Sequence, residues 1–346
     1  MNMRALAYTA PSTLEFRDAP LPVPRPGQVL IRPAFTGICG TDLTIWHDRH
    51  PRATPVVVLG HEFSGTVISA PDESGLRAGD PVVVEPVFTC GSCRECRNGD
   101  YNDCAQMGLL GVDTNGSMSS AVAVDLDKVI PVPAAVSLRD AAFVEPLAVV
   151  AHAFRRASLD LDGETVFISG GGPIGLLAGS VALAEGARVL VSEPNTYRRE
   201  AAERLGLATV DPAAETVSDA MTRHFGGQDV ALAIEASGVP AGLAACVETC
   251  RPLGTVVFVG LAKAHAQIDG NAVIGKELRL LGSRIYTRID FERALELLEW
   301  KVIDPADHIS DVVPLSRIVA DGFERIDRGD PVLKIMIDHA AEARAE

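Results

Sequence analysis

Long apolar runs are missing from this chain of 346 residues. Nowhere do its hydrophobic residues approach the roughly 18 in a row that a membrane-spanning helix needs. The opening stretch MNMRALAYTAPSTLEF also lacks the apolar core of a signal peptide. Both absences point to a soluble, cytoplasmic protein with no membrane partner. Basic charge is short too: 31 Lys and Arg stand against 46 Asp and Glu, a formal net charge of −15 and a pI near 5.0. Such a surface is a poor match for nucleic-acid phosphates or anionic lipid, so a small molecule is the expected ligand. No internal repeat, low-complexity tract or charged tail interrupts the chain. Cysteine is scarce, seven in all, an odd number that suits a reducing compartment better than a disulfide framework. A chain of this length supports two or three domains with cores of their own and has no need of disulfides to fold.

The few cysteines are clustered. Residues 89–104 read TCGSCRECRNGDYNDC, with Cys90, Cys93, Cys96 and Cys104 in C-x2-C-x2-C-x7-C spacing. Tetrahedral zinc takes four soft ligands at about 2.3 Å, and short C-x-x-C steps around a turn supply them from one loop. The flanking Arg94, Glu95, Arg97, Asn98 and Asp100 are polar, which argues against four core cysteines. Ferredoxin-type iron–sulfur runs begin in the same way, but their fourth cysteine follows after three residues with a proline behind it; here seven intervene. The expectation is a closed structural zinc site with no open position for chemistry.

Up to about residue 150 the chain shows short β-rich runs, among them VLIRPAFTGI, VVVLGHEFSGTVISA, DPVVVEPVF and SSAVAVDLDKVIPVP, punctuated by Gly and Pro. From about Glu164 strand-like runs (ETVFIS, ARVLVSE, DVALAIEAS, GTVVFVGLA) alternate with segments of helical length and composition. That alternation predicts an α/β unit with a parallel sheet covered on both faces. The tail returns to a helix near DFERALELLEW and a strand at VLKIMID. Directly after the first of the alternating strands, VFISGGGPIG sets Gly170, Gly172 and Gly175 in G-x-G-x-x-G spacing at the mouth of a helix. Glycines there allow a tight turn and close backbone approach to a pyrophosphate on the helix N-terminus. Glu193, eighteen residues past Gly175, ends the next strand, where an acid hydrogen-bonds a ribose 2′-hydroxyl; this favours NAD over NADP, although Arg198 and Arg199 stand close by. Cys246 and Cys250, four apart on an expected helix, read as packing residues.

A second candidate metal set is dispersed: Cys39 in GICGTD, His61 and Glu62 in LGHEFSG, and Glu145 in VEPLAV. A catalytic zinc takes three protein ligands and keeps one position open. Each residue alone is ordinary: a hydrogen-bonded histidine, a small buried cysteine, a carboxylate at a helix start. Together with a nucleotide-binding unit they read as a site.

In order, GICGTD, GHEFSG, the four-cysteine loop, EPLAV and GGGPIG resemble the zinc-containing medium-chain alcohol dehydrogenases over nearly the whole chain. EPLAV and the length resemble the branch of sorbitol, L-threonine and 2,3-butanediol dehydrogenases. The resemblance implies a GroES-like catalytic domain (residues 1–150), a Rossmann domain with a doubly wound parallel sheet (151–285) and a C-terminal segment returning to the first (286–346). It implies NAD and two zinc ions, one catalytic and one structural. Cys39 and His61 would hold the catalytic zinc with either Glu62 or Glu145, Asp42 would orient His61, and Lys334 would lie near Glu62. Thr41 would be the relay hydroxyl. Thr44 stands where many relatives carry a relay histidine, which leaves His47 or His50 close by, or solvent directly, to take the proton. Pro173, Ile174, Glu193 and Arg198 would line the dinucleotide, and Gly260, Leu261, Ile285 and Tyr286 its nicotinamide half. The reaction implied is oxidation of a secondary alcohol in a homo-oligomer, dimer or tetramer. Glu145, Thr44, His47 and Arg284 suit a sugar-alcohol or cyclitol pocket, whereas GSRIYTRIDFERAL is similar to butanediol dehydrogenases; L-threonine is a third substrate reading. Two other classes compete: a zinc-ribbon nucleic-acid module, opposed by the charge, and a non-catalytic zinc and nucleotide binder.

Overall fold

A computed structural model of the protein describes residues 2–227, 229–262 and 264–341. From the N-terminus the chain runs through β1 (Asn2–Ala10), β2 (Thr13–Pro20), β3 (Gln28–Gly37), α1 (Gly40–Trp46), β4 (Val57–Val58), β5 (Glu62–Ser69) and β6 (Pro81–Val84). Next come β7 (Val87–Phe88), α2 (Arg94–Asn98), β8 (Gly108–Leu109), β9 (Val122–Asp125), β10 (Val129–Pro131), α3 (Leu138–Ala141) and α4 (Val144–Ala157). The alternating part contains β11 (Thr165–Ser169), α5 (Pro173–Ala184), β12 (Arg188–Ser192), α6 (Thr196–Arg204), β13 (Ala208–Val210) and α7 (Val217–Phe225). It goes on with β14 (Val230–Glu235), α8 (Pro240–Thr249), β15 (Cys250–Phe258), α9 (Gly270–Gly275) and β16 (Arg279–Gly282). The tail adds α10 (Arg288–Glu299), β17 (Ile309–Pro314), α11 (Glu324–Asp327) and β18 (Lys334–Asp338). Two compact units result: Met1–Pro146 with Thr287–Glu346, and Leu147–Tyr286.

In the first unit the main sheet has the order β10-β6-β5-β3-β18-β17, with β9 also paired to β3. Every pairing is antiparallel except β17 with β18. The strand period of two explains its core, since Val29 and Ile31, Val82 and Val84, and Val122 and Val124 are alternate residues facing one apolar cluster with Phe63 and Val67. β18 brings the tail into this sheet between β3 and the edge strand β17, with all five of its residues buried. The short pair β7–β8 brackets the cysteine loop.

The second unit is one parallel sheet in the order β13-β12-β11-β14-β15-β16. Renumbered from its own first strand this is 3-2-1-4-5-6, the doubly wound Rossmann arrangement, whose ligand crevice lies beyond the carboxyl ends of the strands where the order reverses. β11 and β14 are buried along their whole length because helices cover both faces. Strands β13 and β16 and helix α7 lie outside the runs picked out by periodicity. Cys250 corrects another expectation: it opens β15, while Cys246 alone sits on α8. Both are nonetheless buried in the core, as packing residues.

Candidate active site

β3 ends at Gly37 and the chain turns through Ile38 into α1, which places Cys39 at the helix start. Asp42, three residues on, is fully buried and accepts the Cys39 N–H at 2.9 Å through Oδ2. Among the described residues its Oδ1 has no hydrogen-bond partner; it stands 3.8 Å from His61 Nδ1, which is likewise buried without one. Burial raises the Asp42 pKa against the lowering effects of His61 and the Cys39 N–H. For His61, burial pulls the pKa down, but Cys39, Asp42 and Glu145 outweigh it and leave the ring well above its ordinary value. The pocket is therefore short of positive charge.

Glu62 opens β5 opposite Gly37. Its carboxylate meets Lys334, whose Nζ donates to Oε1 at 2.8 Å, to Oε2 at 2.6 Å and to the Ile38 carbonyl at 3.0 Å. Burial works against the ammonium, yet Glu62, Cys39 and Glu145 hold the Lys334 pKa above normal. Ligand atoms of Cys39, His61 and Glu62 lie within 4.8 Å of one another. Glu145, in the first turn of α4, is outside that group but close enough for its charge to act on His61 and Lys334. A half-buried thiol with a buried imidazole and carboxylate, and an orphaned Asp42 oxygen behind the imidazole, is a donor set that fits zinc.

Around this group the expected relay residues are scattered. The Thr41 hydroxyl is partly exposed and makes no hydrogen bond among the described residues, while the Thr44 hydroxyl returns to the Gly40 carbonyl at 2.9 Å. His47 caps the end of α1 with its Nε2 2.7 Å from Asp327 Oδ1. The His50 ring is tied to its own loop, Nδ1 accepting from the N–H groups of Arg52 and Ala53.

The sulfurs of Cys90, Cys93, Cys96 and Cys104 form a second compact group. Cys90 Sγ is 3.9 Å from Cys96 Sγ and 3.6 Å from Cys104 Sγ, close to the edge of about 3.8 Å that a tetrahedron of sulfurs at about 2.3 Å from a zinc requires. The Cys93 N–H points at Cys90 Sγ, and the Cys96 N–H at Cys93 Sγ. Donation from the backbone of Ser92 and Cys93 brings the Cys90 thiol down to about 6, whereas Cys93, despite the Cys96 N–H, is pushed up to about 12 by burial and the neighbouring cysteines; Cys90 is therefore the sulfur poised to offer thiolate. All seven cysteines are free.

In the second unit β11 runs into the glycine turn. Gly170 has φ 101°, and a Cβ on Gly175 would stand 1.8 Å from the Gly170 carbonyl oxygen. Gly172 is the N-cap of α5 and Pro173 its first residue, a start whose free N–H groups suit a pyrophosphate. Glu193 follows β12 and accepts from the Gly171 N–H at 2.8 Å and the Asn195 N–H at 2.9 Å. Arg198 lies 4.0 Å from Glu193, and Arg199 bonds the Glu193 and Pro194 carbonyls. Ile174 is partly exposed beside the turn. Leu261 is exposed next to Gly260, Ile285 has φ 56°, and Tyr286 is fully buried.

Residues 25–134 match the alcohol dehydrogenase GroES-like domain, and residues 173–300 the zinc-binding dehydrogenase domain. A 2-dehydro-3-deoxy-L-galactonate 5-dehydrogenase from Pseudoalteromonas atlantica is 36% identical over 321 residues, 92% of this chain and 94% of that one. The chain belongs to the zinc-containing medium-chain alcohol dehydrogenases. An L-galactonate-5-dehydrogenase from Escherichia coli is 35% identical over 299 residues, 86% of this chain and 87% of its own. Among solved structures, 2R,3R-butanediol dehydrogenase from Bacillus subtilis superposes with a TM-score of 0.89 at 29% identity, covering 97% of this chain and 99% of its own. With this member of the family placed, two contacts stand out that motif reading missed. Asp327 holds His47 from far along the chain. Gly37 has no room for a side chain, since a Cβ would fall 2.3 Å from Glu62 Oε2; the only sequence signal for it is a glycine at a strand end beside the metal cysteine.

Proposed function

We propose that the protein oxidises a secondary hydroxyl of a polyhydroxylated small molecule, a sugar alcohol, cyclitol or sugar acid, with NAD as acceptor. The observation that carries this reading is the convergence of half-buried Cys39 with buried His61 and Glu62. Cys39 and His61 would hold the catalytic zinc, with Glu62 or Glu145 as third ligand, and Cys90, Cys93, Cys96 and Cys104 the structural one. When bound, the catalytic zinc acidifies an alcohol hydroxyl and the nicotinamide takes up the hydride. Asp42, its Oδ1 3.8 Å from His61 Nδ1, would orient the ring through that edge. Lys334 fixes Glu62 and balances its charge. Thr41, its hydroxyl uncommitted, hands the alcohol proton outward, and His47 keeps only Nδ1 for the next step because Asp327 engages Nε2. Glu193 after β12, where an acid would accept a ribose 2′-hydroxyl, supports NAD over NADP.

The relatives named for L-galactonate and its 2-dehydro-3-deoxy derivative support a sugar-derived substrate. Likeness to butanediol dehydrogenase supports a small vicinal diol as the second reading. The test is NADH formation by the zinc-loaded protein against sugar alcohols, cyclitols, aldonates, 2,3-butanediol and L-threonine, with NADP and a chelator as controls. A chelator-sensitive rate with NAD on one substrate group is expected, and Cys39→Ser should abolish it while the fold stays intact. A fully active Cys39→Ser enzyme would overturn the catalytic zinc assignment. The free thiols suit a cytoplasmic setting, and light scattering tests assembly into dimers or tetramers, which the family resemblance supports.

A further inference from the structure

Glu235 is a buried acid that the chemistry above does not use. It is the last residue of β14 and only 3% exposed. Its Oε1 accepts from the Ser237 N–H at 2.8 Å, the Ser237 hydroxyl at 2.5 Å and the Gly238 N–H at 3.0 Å, and Oε2 accepts from Gly238 at 3.2 Å. All these donors are neutral, and among the described residues no Lys, Arg or His side chain pairs with it. A carboxylate removed from water without a cation is costly, so its presence asks for a reason. The charge reaches its surroundings: burial, and after it Glu235, push the Cys246 thiol well above its ordinary pKa.

The position of Glu235 in the sheet supplies that reason. The crevice of a doubly wound sheet opens where β11 and β14 part. The glycine turn after β11 takes the pyrophosphate, and Glu193 after β12 takes the ribose of the adenosine half. The remaining mononucleotide half then falls on the β14–β16 side, over the end of β14. Three loops meet there. The Glu235 carbonyl accepts the N–H groups of Val259 and Gly260, both at 2.9 Å. A Cβ on Gly260 would stand 2.7 Å from Glu235 Oε2, and one on Gly170 2.9 Å from the Ser237 nitrogen. The ring bound in this half is a pyridinium carrying one positive charge when oxidised and none when reduced.

We propose that Glu235 is a specificity-determining residue for the oxidation state of the cofactor, its unpaired buried charge favouring the oxidised nicotinamide over the reduced one. The proposal rests on the dinucleotide reading given above. One charge acting within the same half-site at an effective dielectric of about 20 changes relative affinity by about ten- to a hundredfold. The test measures dissociation constants of NAD by calorimetry and of NADH by fluorescence, on zinc-loaded wild type, Glu235→Gln and Glu235→Asp. The Gln variant should lose about ten- to a hundredfold in preference for NAD over NADH, mainly through weaker NAD binding, whereas the Asp variant keeps the wild-type preference. A Gln variant in which both constants move together, or neither moves, overturns the proposal and makes Glu235 a brace for three loops. Should Glu235→Gln not fold, Glu235→Asp against Glu235→Asn repeats the comparison of charge with no charge at one length. A wild type that binds neither form overturns the dinucleotide reading itself, a failure distinct from an unchanged ratio.

Discussion

Asp42 connects the local helix to the metal chemistry. One of its oxygens caps the Cys39 N–H, and the other backs His61 at 3.8 Å with no hydrogen-bond partner among the described residues. An acid in that position fixes the ring and makes it a better donor, and outer partners of this kind are typically worth 10- to 100-fold in metal affinity. Asp42→Asn keeps the shape and the cap but removes the charge. It should weaken zinc at the Cys39–His61 site by about 10- to 100-fold in competition with a chromophoric chelator, with zinc in the cysteine loop unchanged. Equal affinity in variant and wild type would reduce Asp42 to a helix cap. Gly175 is as tightly constrained in the other unit, because a Cβ there would collide with the Gly170 carbonyl 1.8 Å away. We expect Gly175→Ala to displace the turn, abolish measurable NAD binding and lower stability by about 1–3 kcal/mol. Retained NADH fluorescence enhancement would contradict this.

Among the elements, the cysteine loop depends on more than its sulfurs. Tyr101, between Cys96 and Cys104, donates its hydroxyl to the buried Glu85 at 2.7 Å and accepts the Arg288 N–H at 2.5 Å. The loop is thereby fastened both to the end of the β6 segment and to the start of α10. Tyr101→Phe removes one partner from the Arg288 N–H and one from Glu85, which keeps Arg288 at 3.5 Å and Lys128 at 3.9 Å, so we expect a loss of about 1–3 kcal/mol in urea unfolding with two zinc ions still bound. Loss of zinc with no change in stability would place the role of Tyr101 on the sulfurs instead. This element was legible as a metal loop because its ligands lie within fifteen residues, and the glycine turn was legible for the same reason. Strands β13 and β16, of three and four residues, are too short to show a period. The start of β15 is hidden by Pro252 and Gly254, which read as turn residues, and that is why Cys250 looked like the next turn of a helix. Glu62 and Glu145 are both buried acids near His61, so their types alone do not separate them. The resemblance already implies that Lys334 lies near Glu62, and the fold shows the grip itself, across 272 positions of sequence.

At the scale of the whole molecule, a single buried histidine sets a slope of stability with pH. His308 is buried before β17 and lies against Phe143, ring centroids 6.5 Å apart. Burial lowers its pKa to about 4, with Asp304 working weakly the other way. In the unfolded chain the same ring titrates near 6.5. Between those values the unfolded state binds the extra proton, so stability rises with pH there. Its contribution is complete above about 6.5 and is lost as the pH falls toward 4, a difference of about 3 kcal/mol for one group. Asp42 has the opposite sign, since its raised pKa makes the folded state the better proton acceptor, and other carboxylates add their own slopes. The variant therefore isolates the effect. Urea unfolding of wild type and His308→Gln at several pH values from 7 to 4.5 should give a shallower fall for the variant, the two curves converging as the pH drops. Parallel curves would mean that His308 is reached by protons in the folded state at its ordinary pKa.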